Sequence, residues 1–482
     1  MHTQYDHIIV GSGAGGAAAA YALARRGQRV LLVEKGRDLP RDGSTLEVAR
    51  VIKQGHFKSK ELWLDGRGAQ FAPEEYFNVG GKTRWYGAAL LRFGRDEFAA
   101  DAAFDCRPWP IDYDEMAPFY AQAEGLLGVR EFPIEPGLQA ILSRLKRGGT
   151  DWESQPLPLG LAAEITTDTT EAQHFDGFAS VRGFKGDAES SLLQAVRALP
   201  NLTLLTGAPV SALQAAPHDS REVRGVRTEE GAEYYGDTVI LAAGALHSPR
   251  LLSDYLTMTN QQDRLPAARH VGANYKRHVL TAVLAFSTAR QSDLLRKTAL
   301  LSSARFPHSS VQPLGFGADV LAELLPGLMP RALARAFAAR AYGFFLQTED
   351  GSHPANRVRA ANGPTNDHGL PVLDYDPERT SACANEHREL TRAFRRALLS
   401  AGFVSGAQAI PLAGTAHAVG TLMTGADPAH SVVDANGRVH GMANLFVADG
   451  SVLPRSSRVN PSLTIYAWGL RLGEHLARGQ PS

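Results

Sequence analysis

The feature that most constrains this chain is a glycine-rich turn set between two short apolar strands near the N-terminus. Residues 5–34 read YDHIIVGSGAGGAAAAYALARRGQRVLLVE. An apolar strand at 5–10 is followed by Gly11, Gly13 and Gly16, then by an alanine-rich helix that ends near Gly27. A second strand follows and ends on Glu34. This order predicts the start of a parallel βαβ unit that binds a dinucleotide.

Each conspicuous residue of this segment has a physical reason. Gly11 permits a tight turn, Gly13 allows the backbone to approach a pyrophosphate, and Gly16 allows close packing of helix on strand. Free N–H groups at the helix start favour phosphates. Glu34 lies 23 residues after Gly11, where a carboxylate accepts hydrogen bonds from an unphosphorylated ribose. We therefore expect FAD or NAD rather than NADP, and the fingerprint itself does not choose between the first two.

Composition excludes several classes of function. The chain has 482 residues, with 50 Lys and Arg against 50 Asp and Glu, so overall charge does not favour nucleic acid. Cys106 and Cys383 are the two cysteines, which excludes a disulfide framework and a cysteine-rich metal site; we expect no metal. No apolar run reaches the length of a membrane span, and no leader pattern precedes the first strand. We expect a cytoplasmic protein without a membrane span.

Three later stretches have patterns that suit the same nucleotide. Residues 78–93, NVGGKTRWYGAALLRF, form a polar glycine-rich loop suited to close approach of backbone to a ligand. Residues 237–252, DTVILAAGALHSPRLL, read as a buried strand, a turn of small residues and a helix from Ser248. Residues 443–476 read as a strand, a turn at Asp449-Gly450, a loop and a closing helix.

Together these stretches resemble the glucose-methanol-choline (GMC) family of flavin oxidoreductases. The motifs that carry the resemblance are GGKTRWYGAALLRF, GALHSPRLL, WPIDYDEMAPFYAQAEGLLGV and most of residues 417–464. The motif WPIDYDEMAPFYAQAEGLLGV is closest to bacterial members that act on sugars and polyols, the pyranose oxidase-like group. The resemblance implies an α/β fold, with a Rossmann-like FAD domain built from separated segments and a second domain on a mainly antiparallel sheet. The implied FAD domain is 1–146, 202–280 and 406–482, and the substrate domain is 147–201 and 281–405.

The resemblance also implies which residues hold FAD. Gly11, Gly13, Ala14 and Gly16 would meet the pyrophosphate and Glu34 the adenosine ribose. Further contacts would come from Gly80, Gly81 and Thr83 on the flavin side, from the Val210 backbone at adenine, from Asp449 and Gly450 at ribitol and pyrophosphate, and from Pro461. Some pyranose-oxidising members tether FAD through a histidine where this chain has Trp85, so we expect FAD to be bound non-covalently.

The catalytic pair implied by the resemblance is His417, which opens HAVGT, and Asn460, 43 residues later. A histidine can take the hydroxyl proton at working pH while the carbon-bound hydrogen moves to flavin N5. An amide N–H can stabilise the developing alkoxide. Asn460-Pro461 also predicts a helix start, with Asn460 as its cap and the positive helix end towards the flavin pyrimidine. For His278, in NYKRHVL, we favour a structural role.

The sequence of the middle of the chain predicts structure less clearly. Residues 316–345 have apolar positions at helical spacing with interleaved arginines, which is typical of a membrane-touching lid or of a helical hairpin over the pocket; we favour the hairpin, broken at Pro326 and Pro330. Residues 349–371 are rich in turn residues, and we expect a loop between strands.

Two functions remain open at this point. We favour an FAD-dependent enzyme that oxidises an alcohol group of a sugar or polyol, and a dehydrogenase over an oxidase. The acceptor of its electrons stays open between oxygen, a quinone and a redox protein. The alternative is a lyase that resembles the GMC hydroxynitrile lyases and uses FAD without redox chemistry.

Overall fold

The computed structural model describes residues 4–325, 329–362 and 369–479. Its strands, in chain order, are β1 (Gln4–Val10), β2 (Val30–Glu34), β3 (Trp63–Asp65), β4 (Gln70–Phe71), β5 (Val129–Arg130), β6 (Glu153–Pro156), β7 (Leu159–Gly160), β8 (Leu202–Thr206), β9 (Val210–Ala215), β10 (Val223–Thr228), β11 (Glu233–Leu241), β12 (Val279–Phe286), β13 (Ala299–Ser302), β14 (Ser309–Pro313), β15 (Ala341–Thr348), β16 (Arg357–Arg359), β17 (Val372–Asp374), β18 (Val404–Ala409) and β19 (Leu445–Val447). Its helices are α1 (Ala14–Arg25), α2 (Tyr113–Leu126), α3 (Pro136–Arg147), α4 (Thr169–Gln173), α5 (Gln194–Val196), α6 (Ser248–Met258), α7 (Ala318–Glu323), α8 (Arg331–Ala338), α9 (Ser381–Ser400) and α10 (Ser462–Ala477).

The first large sheet is the nucleotide sheet, with the order β8-β2-β1-β11-β10-β9 and β19 paired to β11. Pairs β8-β2, β2-β1, β1-β11 and β11-β19 are parallel, while β9 and β10 form an antiparallel edge. All residues of β2 are buried, which is the pattern of a parallel strand covered on both faces. The separated segments therefore meet in one sheet, which confirms the Rossmann-like prediction.

Helix α10 packs closely against the alanine-rich helix α1 where it has glycine. A Cβ at Gly469 of α10 would lie 2.4 Å from the carbonyl oxygen of Gly15 in α1, and one at Gly473 would lie 2.6 Å from the Cβ of Ala22. Larger side chains at these positions would push the helices apart. The alanine-rich sequence of α1 thus serves the approach of α10 to the sheet.

The second large sheet, the substrate sheet, has the order β18-β12-β15-β14-β13-β6 and is antiparallel throughout. Helix α9 packs against it through buried residues that recur at helical spacing, Leu390, Phe394 and Leu398. The mainly antiparallel second domain is therefore confirmed. The proposed domain boundaries at 280/281 and 405/406 fall inside β12 and β18, and the division of the chain stays a prediction.

The middle region corrects one expectation. Within 316–345, helices α7 and α8 form, but residues from Ala341 onward belong to β15 rather than to a helical hairpin. The segment AYGFFLQT is rich in aromatic residues and gains strand pairing on both sides, from β12 and β14. Pro326 lies outside the described residues. In the expected loop 349–371, β16 forms a short strand, and 363–368 lie outside the described residues.

None of the helices in the described ranges meets the combined requirements of length and apolar content for a bilayer span.

Candidate active site

A cavity of about 710 Å³ contains nearly all of the predicted site residues. At one end it is lined by the turn after β1, by Glu34 and by Val210. At the other end it is lined by His417, Asn460 and residues of the substrate sheet such as Gln312. The two large sheets therefore contribute to one elongated site.

The glycine-rich turn shows directly why glycine is needed. Gly11 has φ +105°, and a Cβ there would lie 2.4 Å from the carbonyl oxygen of Ala242. A Cβ at Gly16 would lie 2.0 Å from the carbonyl oxygen of Gly11, whereas one at Gly13 would meet nothing within 4 Å. Gly13 thus faces the cavity, whereas Gly11 and Gly16 allow backbone segments to pack closely against each other. Gly15, which we did not predict as a site residue, is equally constrained, because a Cβ there would lie 1.4 Å from the carbonyl oxygen of Ala448.

Glu34 ties this turn to the loop at 78–85. One carboxylate oxygen accepts hydrogen bonds from the N–H and hydroxyl of Ser12 at 2.9 and 2.6 Å, and the other accepts from the N–H of Gly36 at 2.8 Å. The Ser12 hydroxyl in turn accepts from the N–H of Gly80 at 3.0 Å. Burial raises the pKa of Glu34. Ser12, a residue inside the fingerprint that the spacing rule ignores, therefore connects two predicted parts of the site.

The loop at 78–85 approaches the turn by backbone contact. Gly80 and Gly81 have φ of +86° and +55°, and a Cβ at Gly81 would lie 3.3 Å from the Cα of Gly13. Thr83 is buried, and its hydroxyl donates to the carbonyl of Gly80 at 2.6 Å. Trp85 lines the cavity and donates its indole N–H to Asn78 at 2.9 Å. Glycine at 80 and 81 is thus required by positive φ as well as by space.

Asp449 is fully engaged by protein donors. One oxygen accepts from the N–H of Gly244 and the hydroxyl of Ser248 at 2.8 and 2.5 Å. The other accepts from the N–H and hydroxyl of Ser451 at 2.8 and 2.5 Å. Four donors fill the acceptor capacity of a carboxylate. Asp449 therefore fixes the position of Gly450, which also lines the cavity, against the turn before α6.

The residues at this end of the cavity fit an extended dinucleotide. The start of α1 lies at Gly13, where the absent side chain leaves open space for a phosphate at free backbone N–H groups. Glu34 and Val210 line the same cavity, as the adenosine end of such a molecule requires.

At the opposite end, His417 lies beside a second histidine. Lys276 and Val419 exchange backbone hydrogen bonds of 3.1 and 2.9 Å in an antiparallel bridge. Moving two residues along each chain from this bridge brings His278 opposite His417, and their Nδ1 atoms are 2.6 Å apart. His417 has φ +63°, an uncommon conformation for a histidine that is found at functional sites. His278, which we expected to be structural, thus contacts the predicted base.

The hydrogen bonds fix the tautomers of both rings. His278 Nε2 lies 2.7 Å from the carbonyl oxygen of Ser457, which can only accept, so Nε2 of neutral His278 carries the hydrogen. Its Nδ1 is then an acceptor, and His417 donates from Nδ1. Nε2 of neutral His417 is consequently unprotonated. It lies 3.2 Å from Nδ2 of Asn460.

Asn460 is held in the orientation that this arrangement needs. Its Oδ1 accepts a hydrogen bond of 2.5 Å from Nε2 of Gln312, so the NH₂ group faces His417. The expected helix cap is wrong: α10 begins at Ser462, with Pro461 at the cap position and no side-chain cap. The amide of Asn460 is therefore directed into the site instead of to the helix. Pro461 lines the cavity.

The histidines are held neutral. Burial, followed by the charge of His278 and of Lys297, lowers the pKa of His417 well below its ordinary value. Burial also lowers the pKa of His278 to about 4. His417 is only partly covered, and its accessible portion faces the cavity. At neutral pH, Nε2 of His417 therefore presents a lone pair to a molecule in the cavity.

A buried ion-pair cluster supports this region from behind. Glu349 accepts from Nε and Nη2 of Arg455 at 2.8 and 2.6 Å, from Nδ1 of His308 at 3.0 Å and from the N–H of Ser457 at 3.1 Å. Burial acts to raise the pKa of Glu349, but the bonds from Arg455 and His308 outweigh it and lower the pKa to about 2. Glu349 thereby fixes Ser457, whose carbonyl holds His278.

The geometry agrees with comparisons to known proteins. Residues 6–275 match the model of the FAD dependent oxidoreductase family, and residues 352–469 match that of the GMC oxidoreductase family. The FAD match covers more than half of the chain.

Curated relatives extend over almost the whole chain. It is 28% identical to 6'''-hydroxyparomomycin C oxidase of Streptomyces lividus and to paromamine 6'-oxidase of Streptomyces fradiae, over 98% of this chain and 91% of each relative. It is 23% identical to 2-methyl-1,2-propanediol dehydrogenase of Mycolicibacterium austroafricanum, over 98% of this chain and 95% of the relative. Oxidases and a dehydrogenase give no support to the lyase alternative.

Among solved structures, pyridoxine 4-oxidase from Mesorbium loti has a TM-score of 0.68 at 20% identity, covering 99% of this chain and 100% of its own. This likeness agrees with the two-sheet fold. Taken with the family matches and the residues that line the cavity, it leads to one conclusion: the chain belongs to the FAD-dependent oxidoreductases and is a member of the GMC family.

Proposed function

We propose that this protein oxidises an alcohol group of a sugar or polyol, with His417 as the base and Asn460 as the group that stabilises the alkoxide. One observation carries the proposal above all others. The unprotonated Nε2 of His417 lies 3.2 Å from the NH₂ group of Asn460, and both side chains line the cavity. A substrate hydroxyl that approaches both from the cavity donates its proton to His417 and accepts from Asn460.

His278 and Gln312 act on this pair as positioning residues. His278 accepts from Nδ1 of His417 and keeps the lone pair on Nε2. When His417 takes the substrate proton, both of its nitrogens carry hydrogen and the bond to His278 is kept. Gln312 holds the amide of Asn460 so that an N–H points to the developing negative charge. The amide does not titrate, so this assistance is independent of pH.

The cofactor would be held by residues at the other end of the cavity. Gly13 and Ala14 would offer backbone N–H groups to the pyrophosphate, and Glu34 and Val210 would meet the adenosine. Others would contribute by backbone or shape: Gly11, Gly16, Gly80, Gly81, Thr83, Asp449, Gly450 and Pro461. FAD supplies, when bound, the acceptor for the hydrogen that leaves carbon as hydride. Because Trp85 stands where a tether would be, we propose non-covalent binding, which predicts release of flavin on denaturation.

The names of the relatives support the substrate class. Two are oxidases of aminoglycosides by name, and one is named as the dehydrogenase of a 1,2-diol. For the electron acceptor we keep dehydrogenase as the proposal. The relatives' names divide between oxidase and dehydrogenase, so the rate at which air reoxidises the reduced enzyme decides this point.

The test is anaerobic bleaching of the flavin by a panel of sugars, polyols and simple alcohols. His417→Ala should retain its yellow flavin but lose substrate-dependent bleaching by about 10²–10⁴-fold, the usual contribution of a general base. His430→Ala is the matched control, since the His430 side chain is 73% exposed. Bleaching of His417→Ala at the wild-type rate would remove His417 as the base.

A further inference from the structure

A buried ion pair lies in the wall of the same cavity, on segments that carry no recognised motif. Nζ of Lys297, just before β13, lies 3.0 Å from Oδ2 of Asp176, in the segment after α4. The side chains are 6% and 9% exposed. Both residues line the cavity that contains His417 and Asn460. An ion pair this deep usually serves either the fold or a ligand.

The hydrogen bonds of the pair leave polar atoms without protein partners. Oδ2 of Asp176 accepts from Lys297 and also from the N–H of Gly315 at 3.0 Å. Within the described ranges, no protein donor bonds to Oδ1. Lys297 has three N–H groups, and its one hydrogen bond to a described residue is the one to Asp176. An acceptor and at least one donor are therefore available next to each other.

A glycine allows this pair to pack directly against the loop at 78–93. A Cβ at Gly87 would lie 2.3 Å from Oδ1 of Asp176 and 2.5 Å from Nζ of Lys297. Gly87 has ordinary φ, so its lack of a side chain is needed for space rather than for backbone conformation. It lies in the glycine-rich loop at 78–93 and also lines the cavity. A methyl group at Gly87 would therefore displace both ends of the pair, at a point where all three residues line the cavity.

Two observations place this pair within reach of the reacting group. Gly315, which bonds to Asp176, lies three residues beyond Gln312, and Gln312 holds Asn460. After burial and His278, the charge of Lys297 is a further cause of the lowered pKa of His417. The pair therefore lies on the substrate side of the cavity.

We propose that Asp176 and Lys297 form a substrate subsite that binds the hydroxyl groups next to the alcohol being oxidised, and so select neutral polyhydroxy substrates. This inference rests on the proposed function and names its specificity residues. Oδ1 of Asp176 accepts a hydrogen bond from one hydroxyl, and Nζ of Lys297 donates to its neighbour. A vicinal diol presents this donor and acceptor side by side.

The charge balance explains the preference for a neutral molecule. Each charge of the pair is compensated by the other, so neither an acid nor an amine finds an unpaired opposite charge. A simple alkanol of the same length would leave both atoms without a partner, which is costly for buried polar groups. The subsite thus discriminates against apolar alcohols as well as for polyols.

The first experiment measures binding without turnover. The double variant Asp176→Asn/Lys297→Met removes both charges together, so no buried charge is left alone. Gly87→Ala keeps both charges and displaces the two charged groups instead. We expect either change to weaken binding of a polyol such as sorbitol by about 10–100-fold in a calorimetric or flavin-difference titration, while binding of 1-hexanol does not weaken and becomes tighter in the double variant. Lys146→Met, at an exposed position on α3, is the control.

The second experiment measures anaerobic flavin reduction against pH. Lys297 disfavours a positive charge on His417. Replacing Lys297 in the double variant therefore raises the pKa of His417, and the fall of the reduction rate at acid pH begins at a higher pH than in wild type. Only a charge near the base produces this shift. Equal loss of polyol and alkanol binding, or tighter binding of a sugar acid than of a neutral sugar by wild type, would overturn the subsite.

The two proposals fail in different ways. If polyol binding depends on Asp176 and Lys297 but no polyol reduces the flavin, the subsite proposal stands and the proposal of an oxidase or dehydrogenase is wrong. If polyols reduce the flavin equally well in wild type, the double variant and Gly87→Ala, the proposed function stands and the subsite proposal is wrong. Absence of polyol binding by wild type would also overturn the subsite.

Discussion

The two ends of the cavity are built in different ways. At the nucleotide end, backbone approaches backbone: a Cβ at Gly11, Gly15 or Gly16 would lie 1.4 to 2.4 Å from a carbonyl oxygen. At the substrate end, side chains from distant segments meet, as Lys297 meets Asp176 and His278 meets His417. At the nucleotide end only glycine fits these positions. At the substrate end the contacts depend on pairs of side chains far apart in the sequence. The two ends therefore differ in how they respond to mutation and in how well the sequence predicts them.

The largest effect is expected where a side-chain cluster supports the substrate end. Glu349→Gln removes the charge that Arg455 and His308 share, and leaves buried Arg455 without its partner. We expect a loss of about 3–5 kcal/mol in the free energy of unfolding, measured by urea titration. Glu378→Gln is the matched control, because the pair of Glu378 with Arg388 is exposed and contributes about 0–1 kcal/mol. Equal stability of the two variants would contradict this support role.

The next effect tests backbone contact at the nucleotide end. Gly15→Ala forces the chain away from Ala448, because its Cβ would lie 1.4 Å from a carbonyl oxygen of the backbone. We expect a loss of about 3 kcal/mol or more in stability and little bound flavin. Gly13→Ala adds the same methyl group where nothing lies within 4 Å, so the apoprotein should keep its melting temperature. Similar melting temperatures for both variants would make the close approach at Gly15 unimportant.

This contrast explains what the sequence allowed us to predict. The glycine spacing, the strands around it and Glu34 are local, and each has a physical reason within 30 residues. They sufficed for the first βαβ unit, while β11 and β19 were expected from the stretches at 237–252 and 443–476. Gly15 and Ser12 lie in the same turn and were missed because the spacing rule has no place for them, although Gly15 closely approaches the Ala448 carbonyl and Ser12 accepts a hydrogen bond from Gly80.

The substrate end could not be predicted in this way. The contact of His278 with His417 joins residues 139 positions apart, and that of Lys297 with Asp176 joins residues 121 apart. Lysine and aspartate are common on surfaces, so nothing in their neighbourhoods marks them as buried partners. Asn460 was expected to cap α10 because local propensity favours asparagine before a helix. Tertiary contacts with Gln312 and His417 override that preference.

A smaller effect tests the histidine pair. His278→Phe keeps an aromatic ring but removes the acceptor for the Nδ1 hydrogen of His417. That hydrogen can then lie on Nε2, so the lone pair is no longer held there. We expect flavin reduction to slow by about 10–100-fold with flavin content unchanged. His278→Asn places an amide oxygen near the position of Nδ1 and should restore most of the rate. If both variants lose the same rate, the role of His278 is packing and not control of the tautomer.

The smallest effect compares two buried histidines, one at each side of the substrate sheet. His387 of α9 lies between the hydroxyls of Thr281 and Thr348 at 2.8 and 2.9 Å, and burial lowers its pKa to about 4, as for His278. An unfolded chain binds the proton at a pKa of about 6.5, so stability declines as pH falls from about 6.5 towards 4.

Each of these histidines should account for about 1.4 kcal/mol of the stability lost between pH 7.5 and 5.5. His387→Gln keeps hydrogen-bonding groups for both threonines but cannot titrate, so its stability should decline less by that amount. His278→Asn should reduce the decline equally, although of the two histidines only His278 contacts the proposed base, His417. A decline in His387→Gln as steep as in wild type would show that His387 gains its proton without unfolding. Equal slopes in the two variants would show that a buried histidine costs the same stability whether or not it contacts the proposed base, as His278 does.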